Sequence, residues 1–244
     1  PTLCLPVIWG CTNPFALNFD SLATLNDGSC LYPGCMDSIA LNYCSACNVN
    51  DSLSCVYPLC HTLDFCEDFE SANLITNDWV INNGIYSSVG LTITNAIVDT
   101  ISLEFTGGSV FYGTQLTETA AFSDPDHIST ATLCLDMSGS GMIDLTFEGA
   151  LNSIISNCTW FRVKVNGMVV ADKNGVTAFN DQTMIGTNTY AYDLSAYAGQ
   201  SQVYVTFEAM CSYSTGYSSG FYADYVWIDN VCVFDVNPCT YYSA

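Results

Sequence analysis

The sequence predicts an all-β protein: a jelly-roll β-sandwich preceded by small disulfide-rich repeats. Three observations carry that prediction. Short β-branched and aromatic runs recur through residues 60–239, with turn residues between them. No long stretch repeats its apolar residues at helical spacing. Fourteen cysteines, an even number, fall at recurring intervals near the N-terminus.

A chain of 244 residues, half of them apolar, holds one sandwich-sized domain and a small module. Its charge is one-sided, with 24 acidic residues against 3 basic ones and a net charge of −21. Nucleic-acid binding needs cations against phosphate, and Arg162, Lys164 and Lys173 are all the chain has. An anionic membrane surface is disfavoured for the same reason, and no apolar run is long enough to span a bilayer. The cysteine usage points to an oxidising, extracellular setting. Zinc is poorly served, because only Cys44 and Cys47 form a C-x-x-C and only His61 and His127 could join them. No signal peptide is evident, so Pro1 is read as a processed terminus or a cut through a longer protein.

Residues 1–59 form the first module. It contains two copies of one pattern, residues 10–33 and 34–58. Gly10/Gly34, Cys11/Cys35, Ala16/Ala40, Asn18/Asn42, Asp27/Asp51, Cys30/Cys55 and Tyr32/Tyr57 correspond. Cys4-Leu5-Pro6 reads as the tail of a preceding copy. Each copy is too short for a core, so disulfides must replace packing. The simple pairings are Cys11 with Cys30 and Cys35 with Cys55. Cys44 and Cys47 are joined to each other or to cysteines elsewhere. Asn18, Asp20, Asn26 and Asp27 offer hard oxygens to calcium, or else they cap turns. Cys44 stands in the second copy where the first has Asp20, which argues against a metal site common to both copies.

This pattern resembles the GCTDPxAxNYxPxAxxDDGSCxYP repeats of large secreted and surface proteins of Bacteroidota. The resemblance implies export, by the type IX route, to the cell surface or beyond.

Residues 60–239 form the large domain, and residues 240–244 a tail. An opening strand is expected over Thr62–Glu70. Further strands are expected at 79–81, 91–94, 97–105, 109–112, 128–136, 142–148, 159–165, 168–171, 190–193 and 202–207. Asn166-Gly167 between two alternating runs marks a hairpin. The closing run, Phe221 to Asp235, is one long strand whose Val226, Ile228, Val231 and Val233 suit a packed interior. Asp229 interrupts it. A carboxylate inside such a strand needs a partner, bases are scarce, and a metal ion is the natural candidate.

The segments DFCEDFESANLITNDW, TYAYDLSAYAGQSQVYVTFEA and YVWIDNVCVF, in that order, resemble the jelly-roll domains called MAM-like or cleaved-adhesin domains. The resemblance implies that the first and last strands are neighbours. It implies a structural calcium ion on Glu70 and Asp229, with Asp68 a further ligand; Asn230 replaces the second Asp of a common Asp-Asp pair. Adjacent antiparallel strands would join Cys66 to Cys232 and Cys60 to Cys239. Cys158 and Cys211 are candidates for another bridge. Cys134 is left as a buried thiol or a link to the first module.

Enzymatic chemistry has little support, for H-E-x-x-H does not occur. Trp160, Arg162 and Lys164 alternate and so share one strand face. They are a candidate glycan platform, or two cations paired with neighbouring acids on an edge strand; the chain's acidity favours the latter. The Tyr-rich run Tyr213 to Tyr222 has the composition of an adaptable binding surface, or of a loop packed on its own domain or a neighbour. Ser21, Ser38, Ser52 and Thr100 sit in Asp-Ser/Thr-apolar triplets that resemble O-glycan attachment sites of exported Bacteroidota proteins. The expected function is non-catalytic: an extracellular adhesin or filament subunit that associates with itself or other surface proteins. The alternative is a carbohydrate-binding module of a secreted hydrolase.

Overall fold

The computed structural model describes residues 7–74, 79–84, 87–93, 96–107, 127–139, 141–152, 159–180, 182–211 and 224–236, with the side chains of residues 107 and 211 left out. The chain divides into two compact units, Pro1–Pro58 and Leu59–Ala244.

In the first unit each repeat builds the same small ladder. β1 (Trp9–Gly10) pairs in parallel with β2 (Leu25–Asn26), and β3 (Pro33–Gly34) with β4 (Val49–Asn50). Two-residue strands cannot stand alone, and covalent and side-chain clamps hold them. Cys11–Cys30 and Cys35–Cys55 bridge the two copies internally. Asn18 accepts from the Leu31 amide at 2.8 Å and donates to the Ser29 carbonyl at 2.7 Å. Asn42 repeats both bonds, with Val56 at 2.9 Å and Ser54 at 2.6 Å. The interior of each copy is little more than Cys11, Ala16 and Cys30, or Cys35 and Ala40.

The second unit is an all-β sandwich of two sheets. Its strands are β5 (His61–Thr62), β6 (Phe65–Glu67), β7 (Val80–Asn82), β8 (Ser87–Thr92), β9 (Ser102–Gly107), β10 (Ile128–Asp136), β11 (Ile143–Asn152) and β12 (Thr159–Val165). They continue as β13 (Met168–Val169), β14 (Phe179–Asn180), β15 (Asn188–Asp193), β16 (Val203–Cys211) and β17 (Tyr225–Asp235). Among the described residues one sheet runs β13-β12-β16-β10-β5, with β14 on β12 and β7 on β10. The other runs β15-β11-β17-β9-β8, with β6 on β17. Successive long strands alternate between sheets, β10 to β11 to β12 and β15 to β16 to β17, as a jelly roll requires.

Period-two patterning sends one face of each strand inward. Phe147 of β11 meets Phe161 of β12 at 5.7 Å and Phe207 of β16 at 5.3 Å, ring centre to ring centre, and these contacts close the two sheets on each other. Val226, Ile228, Val231 and Val233 of β17 all join that core.

The opening segment is two strands rather than the single one expected. β5 lies parallel to β10 in one sheet, and β6 lies antiparallel to β17 in the other. The chain crosses between them at Leu63 and Asp64, where Asp64 takes a positive φ of 65°.

This crossing corrects the disulfide map. Cys60 precedes the half of the segment that joins β10, so it bridges Cys134 of β10 and not Cys239. Cys134 is neither a free thiol nor a link to the first module. Cys66, in the half on β17, faces Cys232 in register and is bonded to it. Cys158, Cys239, the Cys211 side chain, the Tyr213–Tyr222 run and the strand expected at 109–112 lie outside the described residues.

Candidate metal centre

Asp229 is fully buried. A break in the β11–β17 ladder puts it there: Thr146 faces Cys232, but Glu148 already faces Asp229. Asn230 takes up the extra residue with a positive φ of 48°. On one side of this bulge Val226 and Ile228 point into the core, and on the other Val231 and Val233 do.

Around Asp229 the donors are uncharged. Its Oδ2 accepts from the Ser102 hydroxyl at 2.7 Å, and its Oδ1 from the Asn230 amide at 2.8 Å. Ser102 Oγ in turn accepts from the Ile97 amide at 3.0 Å. Burial pushes the Asp229 carboxyl up to about 6 against these hydrogen bonds, and the charges of Asp99 and Glu70 push the same way.

Glu70 follows β6 in the next turn. Its Oε1 accepts from the Thr100 amide at 2.8 Å and the Ile101 amide at 2.7 Å. That clamp brings the approach to β9, with Asp99 at a positive φ of 51°, against the turn. Asp68 caps the turn from outside by accepting from the Glu70 amide at 3.1 Å. Glu67, a buried carboxylate, accepts from the Phe69 amide at 2.8 Å.

The structure thus brings Glu70 and Asp229 to the start of β9, beside the middle of β17. It adds Asp99 and Ser102, which the sequence reading missed. Asp99 was readable only as part of the Asp99-Thr100-Ile101 triplet.

None of the chain's three Lys and Arg side chains is bonded here. Arg162 and Lys164 both donate to Glu208 on β16, and Lys173 donates to Asp144 at 2.5 Å. Carboxylates, a hydroxyl and nearby backbone carbonyls are the donor class of a hard cation such as calcium. Among the described residues, no three such acidic, His or Cys side chains converge closely enough to enclose an ion in the chain as folded.

In the first unit Asn18 is committed to backbone on both sides, as above. Asp20 accepts from the Leu22 amide at 2.9 Å, Asn26 from Gly28 at 3.1 Å and Asp27 from Ser29 at 2.9 Å. Bonds from Ser29 hold the Asp27 carboxyl below its usual range. These are the bonds of turn-capping residues.

Trp160 is only 2% exposed, packed with Met210 and Ile128 under the Arg162 guanidinium, 4.5 Å from the ring centre. Its ring face is not open to a ligand. β12 is flanked by β16 on one side and by β13 and β14 on the other, so it is not a free edge. The Ser21, Ser38, Ser52 and Thr100 residues are all exposed.

No protein-family model and no curated protein matches the chain. Its architecture is similar to that of carbohydrate-binding modules. The CBM22-1 xylan-binding domain of Paenibacillus barcinonensis Xyn10C is 15% identical at a TM-score of 0.39, over 72% of this chain and 95% of that one. TmCBM61, solved with β-1,4-galactotriose, is 12% identical at a TM-score of 0.37, over 69% and 97%. The enzymatically active domain of bacteriophage CBA120 tailspike protein 4 is 15% identical at a TM-score of 0.35; the match covers 68% of this chain but only 20% of that one. At such scores the likeness concerns the sandwich architecture and nothing finer.

Proposed function

We propose that the chain is a non-catalytic extracellular structural or adhesive protein, a surface adhesin or filament subunit, whose sandwich is steadied by calcium at Asp229 and Glu70. The observation that carries the adhesive part is in the repeats. They leave apolar side chains exposed at corresponding positions: Leu17 at 69% and Leu41 at 50%, Phe19 at 44% and Tyr43 at 43%, Leu31 at 41% and Val56 at 54%. We read this recurrence at matching positions of the two copies as an interaction surface. Five disulfides among the described residues support an oxidising, extracellular location.

Sedimentation and electron microscopy of the intact chain test this reading. Ordered association that is weakened by Leu17→Asp with Leu41→Asp is expected. A monomer at every concentration, with no binding to cells or surface proteins, would overturn it.

One observation favours carbohydrate binding as a second reading. The partly exposed Tyr225 stacks at 5.3 Å on the buried Trp227, on the face of β17 opposite the core, and Trp227 Nε1 donates to Glu104 at 2.7 Å. Aromatic rings oriented by a carboxylate suit a sugar face. Glycan-array binding lost on Tyr225→Ala would favour this reading; binding unaffected by that change would remove it.

A further inference from the structure

We propose that the Cys44–Cys47 disulfide is a thiol–disulfide exchange site, taking a thiolate as its substrate, rather than a structural staple. The two repeats supply an internal control. Cys44 and Cys47 of the second copy occupy the places of Asp20 and Ala23 in the first. The backbone makes the same turn in both. The Asp20 amide donates to Cys11 at 2.9 Å and the Cys44 amide to Cys35 at 2.8 Å. The Ala23 amide donates to Asp20 at 3.1 Å and the Cys47 amide to Cys44 at 3.3 Å. The first copy therefore holds this turn with no sulfur in it.

The bridge also restrains little. It joins residues 3 apart in sequence, whereas Cys11–Cys30, Cys35–Cys55, Cys60–Cys134 and Cys66–Cys232 span 19, 20, 74 and 166. Restraint of the unfolded chain grows with the loop closed. Opening the short bridge leaves the second copy still clamped by Cys35–Cys55 and Asn42.

Access points the same way. Cys44 and Cys47 are half-buried, with exposed Ser45 and Ala46 between them. Cys11, Cys35 and Cys134 are 1%, 1% and 0% exposed, so their bridges are each shielded on one side. Cys66 is exposed and Cys232 half-buried, so loop length rather than access separates that bridge from Cys44–Cys47. Gly34 makes room for the sulfurs, since a Cβ there would lie 2.5 Å from Cys47 Sγ.

The exchange balances without an oxidant. An incoming thiolate attacks one sulfur, the Cys44–Cys47 bond breaks, and a mixed disulfide forms in its place. The other cysteine leaves as thiolate and takes a proton from water. A small thiol or an exposed cysteine of another chain can serve.

The intact protein, treated with millimolar reduced glutathione at mildly alkaline pH, alkylated and peptide-mapped, gives the test. Glutathione is expected on Cys44 or Cys47, with the other cysteine alkylated, about tenfold faster than at any other described bridge. The circular dichroism spectrum should stay unchanged. Cys44→Ser with Cys47→Ser should fold alike and take up no glutathione in this turn. A parallel sample carrying a trace of reduced chain, run on a non-reducing gel, separates protein thiols from small ones as the attacking partner. Earlier opening of another bridge, equal rates at all bridges, or collapse of the repeat once this bridge opens would each overturn the proposal.

Discussion

Cys60 is bonded to Cys134, and the residue after Cys60, His61, lies in parallel register with the residue after Cys134, Leu135. The bridge therefore ties the two-residue strand β5 to the sheet at the point where backbone pairing is thinnest. A pair this short cannot hold itself against solvent. Replacing both cysteines, Cys60→Ala with Cys134→Ala, should cost about 4 kcal/mol, since the bridge closes a loop of 74 residues. Denaturant unfolding should show that loss, and hydrogen exchange should place the first opening at residues 60–64. An unchanged midpoint would mean that β5 is held by packing alone.

Part of this was legible in the sequence. β10 and β12 lie where their alternation predicts them, because each is long, amphipathic and bounded by turn residues. Cys66 and Cys232 were legible because both fall inside strand-like runs. The crossing at Asp64 was not, because it rests on a left-handed backbone at a residue other than glycine. One signal for Cys60 was available. Cys11, Cys35 and Cys60 keep the repeat's spacing, and Leu59 stands where Gly10 and Gly34 stood. The bulge at Asn230 left only the Asp-Asn interruption, and the Glu70 clamp depends on long-range placement that no local pattern encodes.

Asp229 makes stability depend on pH in an unusual direction. Its carboxyl is raised from 3.8 to about 6 in the fold. A raised acid favours the fold when protonated, so its contribution is most favourable below about pH 4 and is lost as pH climbs through about 6. Ionised at neutral pH, and without a cation, it costs about 3 kcal/mol. With a chelator present, Asp229→Asn should therefore be more stable than the parent at pH 7 and similar to it at pH 4. Adding calcium should close the gap by stabilising only the parent. A gap that is independent of pH would refute the assignment, and no calcium effect would remove the ion from the proposed function.

Two glycines at equivalent positions should differ in how they tolerate a methyl group. A Cβ on Gly34 would sit 2.5 Å from Cys47 Sγ, while one on Gly10 would meet Ala23 Cβ and Asp20 Oδ2 at 3.2 Å. Gly34→Ala should cost about 2 kcal/mol and Gly10→Ala under about 1 kcal/mol. In a Cys44→Ala, Cys47→Ala background the Gly34→Ala cost should fall to the Gly10 value. Limited proteolysis of the repeats reads all four proteins, and an equal cost at the two glycines would show that the sulfurs are not what confines Gly34.

Glu208 is the single acceptor for two of the chain's three Lys and Arg side chains. Its side chain is 6% exposed, while those of Arg162 and Lys164 are 25% and 23% exposed. It lies on β16 directly opposite Arg162 in the ladder, so the pairing follows from register. Removing it as Glu208→Ala leaves two cations, Arg162 over the Trp160 ring and Lys164, without this counter-charge, at a cost of about 3 kcal/mol. Glu208→Gln keeps one of the two accepting oxygens and should cost less than Glu208→Ala. The complementary change, Arg162→Met with Lys164→Met, removes the charges together and strands only the acid. If Glu208 acts as a counter-ion, the triple variant carrying Glu208→Leu as well should recover most of the stability lost by either partial change. A triple variant no better than Glu208→Ala would show that its packing against the outer face of the sheet, not its charge, is what β16 requires.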